Sequence, residues 1–209
     1  LVGADGRVAR PLPVVACDLR ANDGKPDAAG RFVGGTMSVG DACVDAGALW
    51  SLGGGDATCL VTEATIPNGL AWSGDGQTLF WIDTPTGRVD AFDYDLETGA
   101  ASERRPHLRI DPDWGSPDGM CIDTDGRLWI ALWGGSSVRA FEGSTCVDVV
   151  ELPTPLVTCP TFAGPDLDRL VITTASIDVP PGSPGAGDLY VVDPGVSGFE
   201  AHRLGSDLG

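Results

Sequence analysis

Long apolar segments are missing from this 209-residue sequence: no run approaches the ~18–20 residues that a membrane-spanning helix needs. Positive charge is also scarce, with 13 basic against 30 acidic residues and a formal net charge of −17. A field of this sign repels phosphate backbones and attracts cations, so we expect neither a nucleic acid nor a membrane as a partner. No apolar leader opens the sequence, and we therefore expect a cytoplasmic protein.

Cysteine and histidine are few and scattered. The six cysteines contain no C-x-x-C pair, which predicts reduced thiols, several of them buried, rather than a disulfide scaffold. The two histidines, His107 and His202, lie in stretches that we interpret as surface segments. A G-x-S-x-G motif is also missing, so a Ser-His-Asp triad is poorly supported.

Helical periodicity is hard to find, whereas 30 Gly and 16 Pro indicate many turns and short elements. A polar turn followed by an apolar strand recurs four times, at spacings of 47, 49 and 42 between the equivalent residues Phe32, Leu79, Leu128 and Leu170. A second strand follows each copy, at 47–52, 87–93, 136–142 and 187–193. A period of about 40–50 residues predicts an all-β fold, a β-propeller rather than a β-sandwich, in a single domain over 1–209.

Two copies of one motif carry the candidate chemistry. "IPNGLAW" (66–72) and "SPDGMCI" (116–122) place Asn68 and Asp118 50 residues apart, which is one repeat. Taken singly, each Asn-Gly or Asp-Gly pair is typical of a tight turn, and we expect the glycines to make turns. As a pair, the amide and carboxylate oxygens would converge from neighbouring blades and form a site for a hard cation. "CPTFAG" (159–164) holds the corresponding position in the next repeat.

A polar stretch, "DLRANDGKPDAAGRF" (18–32), precedes the first repeated strand. Such a run is typical of a solvated loop, and here Asp23 is interpreted as a turn cap and Lys25 as a surface residue. However, Asn22 lies 46 residues before Asn68, one repeat upstream. We therefore expect Arg20 and Asn22 to reach the same channel mouth and to hydrogen-bond an oxygen-rich ligand.

Three stretches, in order, resemble the senescence marker protein/gluconolactonase family: "RANDGKPDAAGRFVGGTM", "IPNGLAWSGDGQTLFWIDTPTGRVDAFDYDLETG" and "SPDGMCIDTDGRLWIALWGGSSVRAFE". The resemblance runs from about position 14 to about position 204. It implies a six-bladed β-propeller that binds a divalent cation near its axis and hydrolyses sugar lactones. Calcium is the expected ion, with Zn²⁺, Mg²⁺ and Mn²⁺ as alternatives.

The same resemblance implies roles for four residues. Asn68 and Asp118 correspond to cation ligands, and Asp118 also to the acid/base residue. Arg20 and Asn22 correspond to residues that contact substrate hydroxyls. The family's third ligand, a Glu in a G-E-G-P-like motif, has no counterpart here, because about 80 residues of the family's N-terminal part, more than one repeat, are absent. We therefore expect an incomplete propeller of about four to five blades.

Two other functions stay open at this point. One is a related metal-dependent hydrolase that acts on other esters or on phosphotriesters. The other is a propeller that binds calcium or another ligand without turnover, which the missing Glu favours. The sequence does not indicate an oligomeric state.

Overall fold

The computed structural model describes residues 18–40, 43–53 and 56–205. Within these ranges the chain forms fifteen β-strands and two short 3-10 turns, Thr84–Thr86 and Pro112–Trp114. The strands assemble into four antiparallel sheets arranged as the blades of a β-propeller, which confirms the predicted all-β fold. No helix in these ranges is long and apolar enough to cross a membrane. The opening stretch 1–17 lies outside the described residues.

Three blades have four strands and the last has three, and in each blade the spatial order of strands follows the chain. The first blade contains β1 (Leu19–Pro26), β2 (Phe32–Ser38), β3 (Gly47–Gly53) and β4 (Asp56–Ala64). The second contains β5 (Pro67–Trp72), β6 (Thr78–Asp83), β7 (Arg88–Tyr94) and β8 (Ala101–Arg109). The third contains β9 (Ser116–Ile122), β10 (Leu128–Trp133), β11 (Ser137–Glu142) and β12 (Thr145–Glu151). The fourth contains β13 (Val157–Ala163), β14 (Arg169–Thr174) and β15 (Leu189–Val192).

The hydrophobic core lies between adjacent blades. Leu79, Leu128 and Leu170, predicted to be equivalent, are each the first or second residue of a strand and are fully buried in one of three interblade clusters. Phe32, the fourth member, is only half-buried. Because the faces of the second and third blades pack against sheets on both sides, their strands contain apolar residues on both faces, as in "TLFWI" and "LWIALW".

The innermost strands of the four blades, β1, β5, β9 and β13, each contain one extra residue relative to the strand beside them. Such β-bulges bend a strand and redirect its side chains. The four bulges fall at the same place in the repeat. The equivalent residues at or directly before the extra residue are Asn22, Asn68, Asp118 and Thr158, and this place is called the bulge position below.

Candidate functional site

Asn68 and Asp118 lie inside strands β5 and β9, so the prediction that their glycines form turns was wrong. Neither Gly69 nor Gly119 adopts the left-handed backbone conformation. A Cβ atom on Gly69 would lie 2.6 Å from the carbonyl oxygen of Asp118, and one on Gly119 would lie 2.6 Å from Sγ of Cys159. Glycine is therefore required because the innermost strands of neighbouring blades approach each other closely.

The side chains of Arg20, Asn22 and Asn68 meet in one hydrogen-bonded network. Nδ2 of Asn22 donates to Oδ1 of Asn68 at 3.1 Å and to the carbonyl oxygen of Pro67 at 2.8 Å. One guanidinium nitrogen of Arg20 donates to Oδ1 of Asn22 at 2.7 Å. The structure thus brings together three of the four predicted site residues, from two blades.

Thr84, which the sequence did not single out, connects this network to the third blade. It begins the 3-10 turn after β6. Nδ2 of Asn68 donates to Oγ1 of Thr84 at 3.0 Å, and Oγ1 donates to the carbonyl oxygen of Pro117 at 2.8 Å. Because the amide nitrogen of Asn68 is held in this way, the orientation of Oδ1 is set, and that oxygen keeps a lone pair beyond the one used by Asn22.

Asp118 is half-buried and has an unusual proton affinity. Burial, and secondly the charge of Asp23, raise the pKa of its carboxyl to about 7, although the backbone N–H of Gly119 acts in the opposite direction. A carboxyl with a pKa near neutrality can both accept and return a proton at physiological pH. Its environment therefore suits the predicted acid/base role.

Asp23 and Lys25 lie on β1 and are neither a turn cap nor a surface residue, which corrects both interpretations. Oδ1 of Asp23 accepts a bond from the backbone N–H of Gly24 at 2.7 Å. Nζ of Lys25 crosses to the innermost strands of the next two blades, where it donates to the carbonyl oxygens of Leu70, at 3.0 Å, and Met120. Lys25 thus links three blades below the bulges.

The fourth blade supplies a hydroxyl at the shared position. Thr158 occupies the bulge of β13, one residue before the predicted "CPTFAG" segment, and its Oγ1 lies 2.5 Å from Oγ1 of Thr173. Burial raises the pKa of the neighbouring Cys159 thiol to about 11, although Lys25 opposes this. Cys159 is therefore neutral at physiological pH and poorly suited to act as a nucleophile.

The remaining cysteines and histidines lie in several environments. The described cysteines, Cys43, Cys59, Cys121, Cys146 and Cys159, are all free, as predicted, but only Cys121 is fully buried. His107 lies in strand β8, after the exposed residues 102–106, and is itself half-buried with its ring centroid 4.8 Å from that of Phe80, so its segment is a surface strand rather than a connection. His202 is exposed, as predicted, and packs edge-on against Trp72.

Oxygen atoms dominate the donor set at the channel mouth. Among the described residues, no cluster of three or more His, Cys, Asp or Glu side chains could hold a metal ion. The bulges instead offer the amide oxygen of Asn68 and the carboxylates of Asp118 and Asp23. Carboxylate and amide oxygens are the donors that Ca²⁺ and Mg²⁺ prefer, so these residues fit a hard divalent cation rather than a soft one.

Comparisons with known proteins agree with this β-propeller architecture. Residues 7–176 match the family model described as the SMP-30/Gluconolactonase/LRE-like region. Regucalcin from Danio rerio is 42% identical over 165 residues, which cover 77% of this chain and 56% of the relative. The class of protein is thus a β-propeller of the regucalcin type, and the chain belongs to the SMP-30/gluconolactonase/LRE-like family.

Two solved structures have the same fold. A luciferin-regenerating enzyme superimposes with a TM-score of 0.82 at 34% identity, over 90% of this chain and 66% of that one. A calcium-binding protein, regucalcin from Agrobacterium tumefaciens, superimposes with a TM-score of 0.84 at 28% identity, over 90% of this chain and 65% of that one. The chain therefore spans between half and two thirds of the length of these relatives.

Proposed function

We propose that this protein is a divalent-cation-dependent hydrolase that opens sugar lactones. The single observation that carries the proposal is the position of Asp118: a half-buried carboxyl with no ion-pair partner among the described residues, in the same row of bulges as Asn68. The membership of the chain in a family that includes gluconolactonases supports this reaction class.

The cation would be held by Oδ1 of Asn68 and the carboxylate of Asp118, and calcium is the proposed ion because the similar Agrobacterium protein is described as calcium-binding. A bound divalent cation polarises an ester carbonyl and stabilises the negative charge that develops on its oxygen. The hydrogen bond from Asn68 to Thr84 would keep the amide oxygen in place for this purpose.

Asp118 would move the proton in the reaction. Its carboxylate takes a proton from the attacking water as the water oxygen bonds to the lactone carbonyl carbon. When the bond between that carbon and the ring oxygen breaks, the Asp118 carboxyl returns a proton to the leaving oxygen, which becomes a hydroxyl. Atoms and charge balance, because water is consumed and an open-chain hydroxy acid is formed.

Arg20 and Asn22 would orient the hydroxyl groups of the sugar. Both Nδ2 hydrogens of Asn22 are engaged by Pro67 and Asn68, so Asn22 can meet a substrate hydroxyl only as an acceptor, through Oδ1. Arg20 is exposed and has further N–H donors beyond those given to Ala21 and Asn22. Together they supply one acceptor and several donors for a polyol.

The experiment compares lactone hydrolysis by three proteins. After chelator treatment, wild type is assayed by pH-stat on gluconolactone and related lactones, without added metal and with Ca²⁺, Zn²⁺, Mg²⁺ or Mn²⁺. We expect cation-dependent hydrolysis that falls at least ~100-fold in Asp118→Asn. Asp166→Asn, an equal charge change at an exposed turn residue, should retain the wild-type rate. Full activity of Asp118→Asn would exclude Asp118 as the base.

A second candidate is a calcium-binding propeller without turnover, which the calcium-binding Agrobacterium structure favours. The proteins prepared for the hydrolysis assay distinguish this alternative from the proposed lactonase. Stoichiometric calcium binding by calorimetry, with no hydrolysis of any lactone, simple ester or phosphotriester, would identify this alternative. Hydrolysis of esters or phosphotriesters but not of lactones would identify a related esterase.

A further inference from the structure

The first blade differs from the second and third blades at the residue that follows the bulge position. The residue that follows the bulge position is Gly69 in the second blade and Gly119 in the third, and in both a side chain would collide with the next innermost strand. In the first blade this residue is Asp23. The first blade therefore has a carboxylate in the bulge at a place where the next two blades have no side chain.

The carboxylate of Asp23 is incompletely paired. Oδ1 accepts a bond from the adjacent backbone N–H of Gly24, while Oδ2 is buried and has no hydrogen-bond partner among the described residues. A buried carboxylate oxygen without a partner is costly in a folded protein, and a bound cation would satisfy it.

The nearby cationic side chains are directed elsewhere. Nζ of Lys25, two residues along β1, donates to carbonyl oxygens of β5 and β9. The guanidinium of Arg20 donates to the Ala21 carbonyl and to Asn22. Neither Asp23 nor Asp118 forms an ion pair with a described residue. The two negative charges are therefore not neutralised within the described part of the chain.

Asp23 and Asp118 lie in the same part of the channel, because the side chain of Lys25, two residues after Asp23, reaches the carbonyl oxygen of Met120, two residues after Asp118. Two carboxylates in a half-buried site repel when no ion is present. A divalent cation between them removes that repulsion and leaves no net charge, which a single carboxylate cannot achieve.

We propose that Asp23 is a further cation-binding residue, which supplies the second negative charge for the ion held by Asn68 and Asp118. This inference rests on the cation site of the proposed function and adds a residue that the sequence motifs did not assign to it.

Calcium binding, rather than activity, tests the inference. Chelator-treated wild type, Asp23→Asn, Asp118→Asn and Asp166→Asn are titrated with Ca²⁺ by isothermal calorimetry. We expect one site in wild type, an affinity at least about 10-fold weaker in both channel variants, and no change in Asp166→Asn. If Asp23→Asn binds as wild type does while Asp118→Asn does not, this inference is overturned and the proposed function stands. Failure of wild type to bind Ca²⁺, or Zn²⁺, Mg²⁺ or Mn²⁺ titrated in the same way, would overturn both.

Thermal unfolding separates a cation-binding role from a structural one. Without cation, Asp23→Asn should be at least as stable as wild type, because a buried negative charge has been removed. With calcium, its rise in Tm should be clearly smaller than that of wild type. A variant with a lower Tm without cation but an undiminished calcium-induced rise would show that Asp23 acts only structurally. Asp23→Glu, which keeps the charge, should recover part of the affinity.

Discussion

Carboxylates lie at both ends of the innermost strands, and the two ends differ in how many hydrogen bonds these carboxylates accept. At the turn ends, Asp27 is fully buried and accepts four bonds: from the backbone N–H groups of Ala29 and Arg31, from Nε of Arg31 at 2.7 Å, and from the hydroxyl of Tyr94 at 2.8 Å. At the channel mouth, Asp118 is opposed by Asp23 and accepts a bond from Gly119. Burial alone therefore does not distinguish a structural carboxylate from a functional one.

The third blade repeats the arrangement of the first at its turn end. Asp123 is fully buried and accepts bonds from the backbone N–H groups of Asp125 and Arg127 and from Nε1 of Trp129 at 2.9 Å. A carboxylate with this many donors is satisfied and stabilises its turn. A carboxylate with few donors, such as that of Asp118, remains able to bind a cation or to exchange a proton.

The largest effect on stability is expected at the turn end. Asp27→Ala would leave Nε of Arg31, the Tyr94 hydroxyl and two backbone N–H groups without their acceptor, and we expect a loss of about 3–5 kcal/mol in the free energy of unfolding. Urea denaturation measures it, with the exposed Asp166→Ala as the control. The folded fraction should bind calcium normally. A loss below about 1 kcal/mol would contradict the structural role of Asp27.

The second largest effect is expected at the channel mouth, where removing the charge of Asp118 should stabilise the folded protein by an amount that depends on pH. The pKa of Asp118 is raised to about 7, so the folded protein holds this proton more tightly than the unfolded chain does. The ionised carboxylate therefore opposes folding progressively as pH rises from about 4 to about 7, and the penalty is constant above that.

The variant Asp118→Asn tests whether ionisation of Asp118 destabilises the folded protein. In chelator, its advantage in the free energy of unfolding over wild type should grow between pH 4 and pH 8 by roughly 2–4 kcal/mol. Because both proteins share the rest of their charges, the difference between them isolates this group. An advantage that does not change with pH would show that the carboxyl has an ordinary pKa.

The smallest effect is expected at the link between the two bulges. Thr84→Val removes the hydroxyl that accepts from Asn68 and donates to Pro117, so the amide of Asn68 loses its anchor. We expect calcium affinity to fall about 10-fold, as for other residues that orient a metal ligand. Thr84→Ser keeps the hydroxyl and should bind as wild type does in the same titration. Equal calcium affinities of Thr84→Val and Thr84→Ser would show that the Thr84 hydroxyl does not contribute to the cation site.

Periodicity was enough to predict the fold and part of the site. The spacing of Leu79, Leu128 and Leu170 identified three buried residues near the starts of strands. The 46-residue separation of Asn22 from Asn68 predicted that both reach the same place, and in the structure they share a hydrogen bond of 3.1 Å. The catalytic and binding roles of Arg20, Asn22, Asn68 and Asp118 stay predictions.

Short sequence motifs were less reliable than the repeat spacing where one motif is compatible with two local structures. Asn-Gly suits a tight turn, but the same pair suits a bulge that lets a neighbouring strand approach, as Gly69 does beside Asp118. Asp23 and Lys25 were misinterpreted for a related reason. A charged run resembles a solvated loop unless its partners, here the carbonyl oxygens of Leu70 and Met120, are known.

The sequence by itself determined the repeated blades and the residue types at their channel ends, because each repeat places its equivalent residues at a regular spacing. Only the tertiary structure decided which carboxylates are satisfied and which are not. That distinction depends on contacts between blades, such as Asn68 with Thr84 and Thr84 with Pro117, or Lys25 with a carbonyl 95 residues away. The local sequence does not show which residue of another blade will donate a hydrogen bond to a buried carboxylate. That donor nevertheless decides whether the carboxylate is satisfied within the fold or remains free to bind a cation.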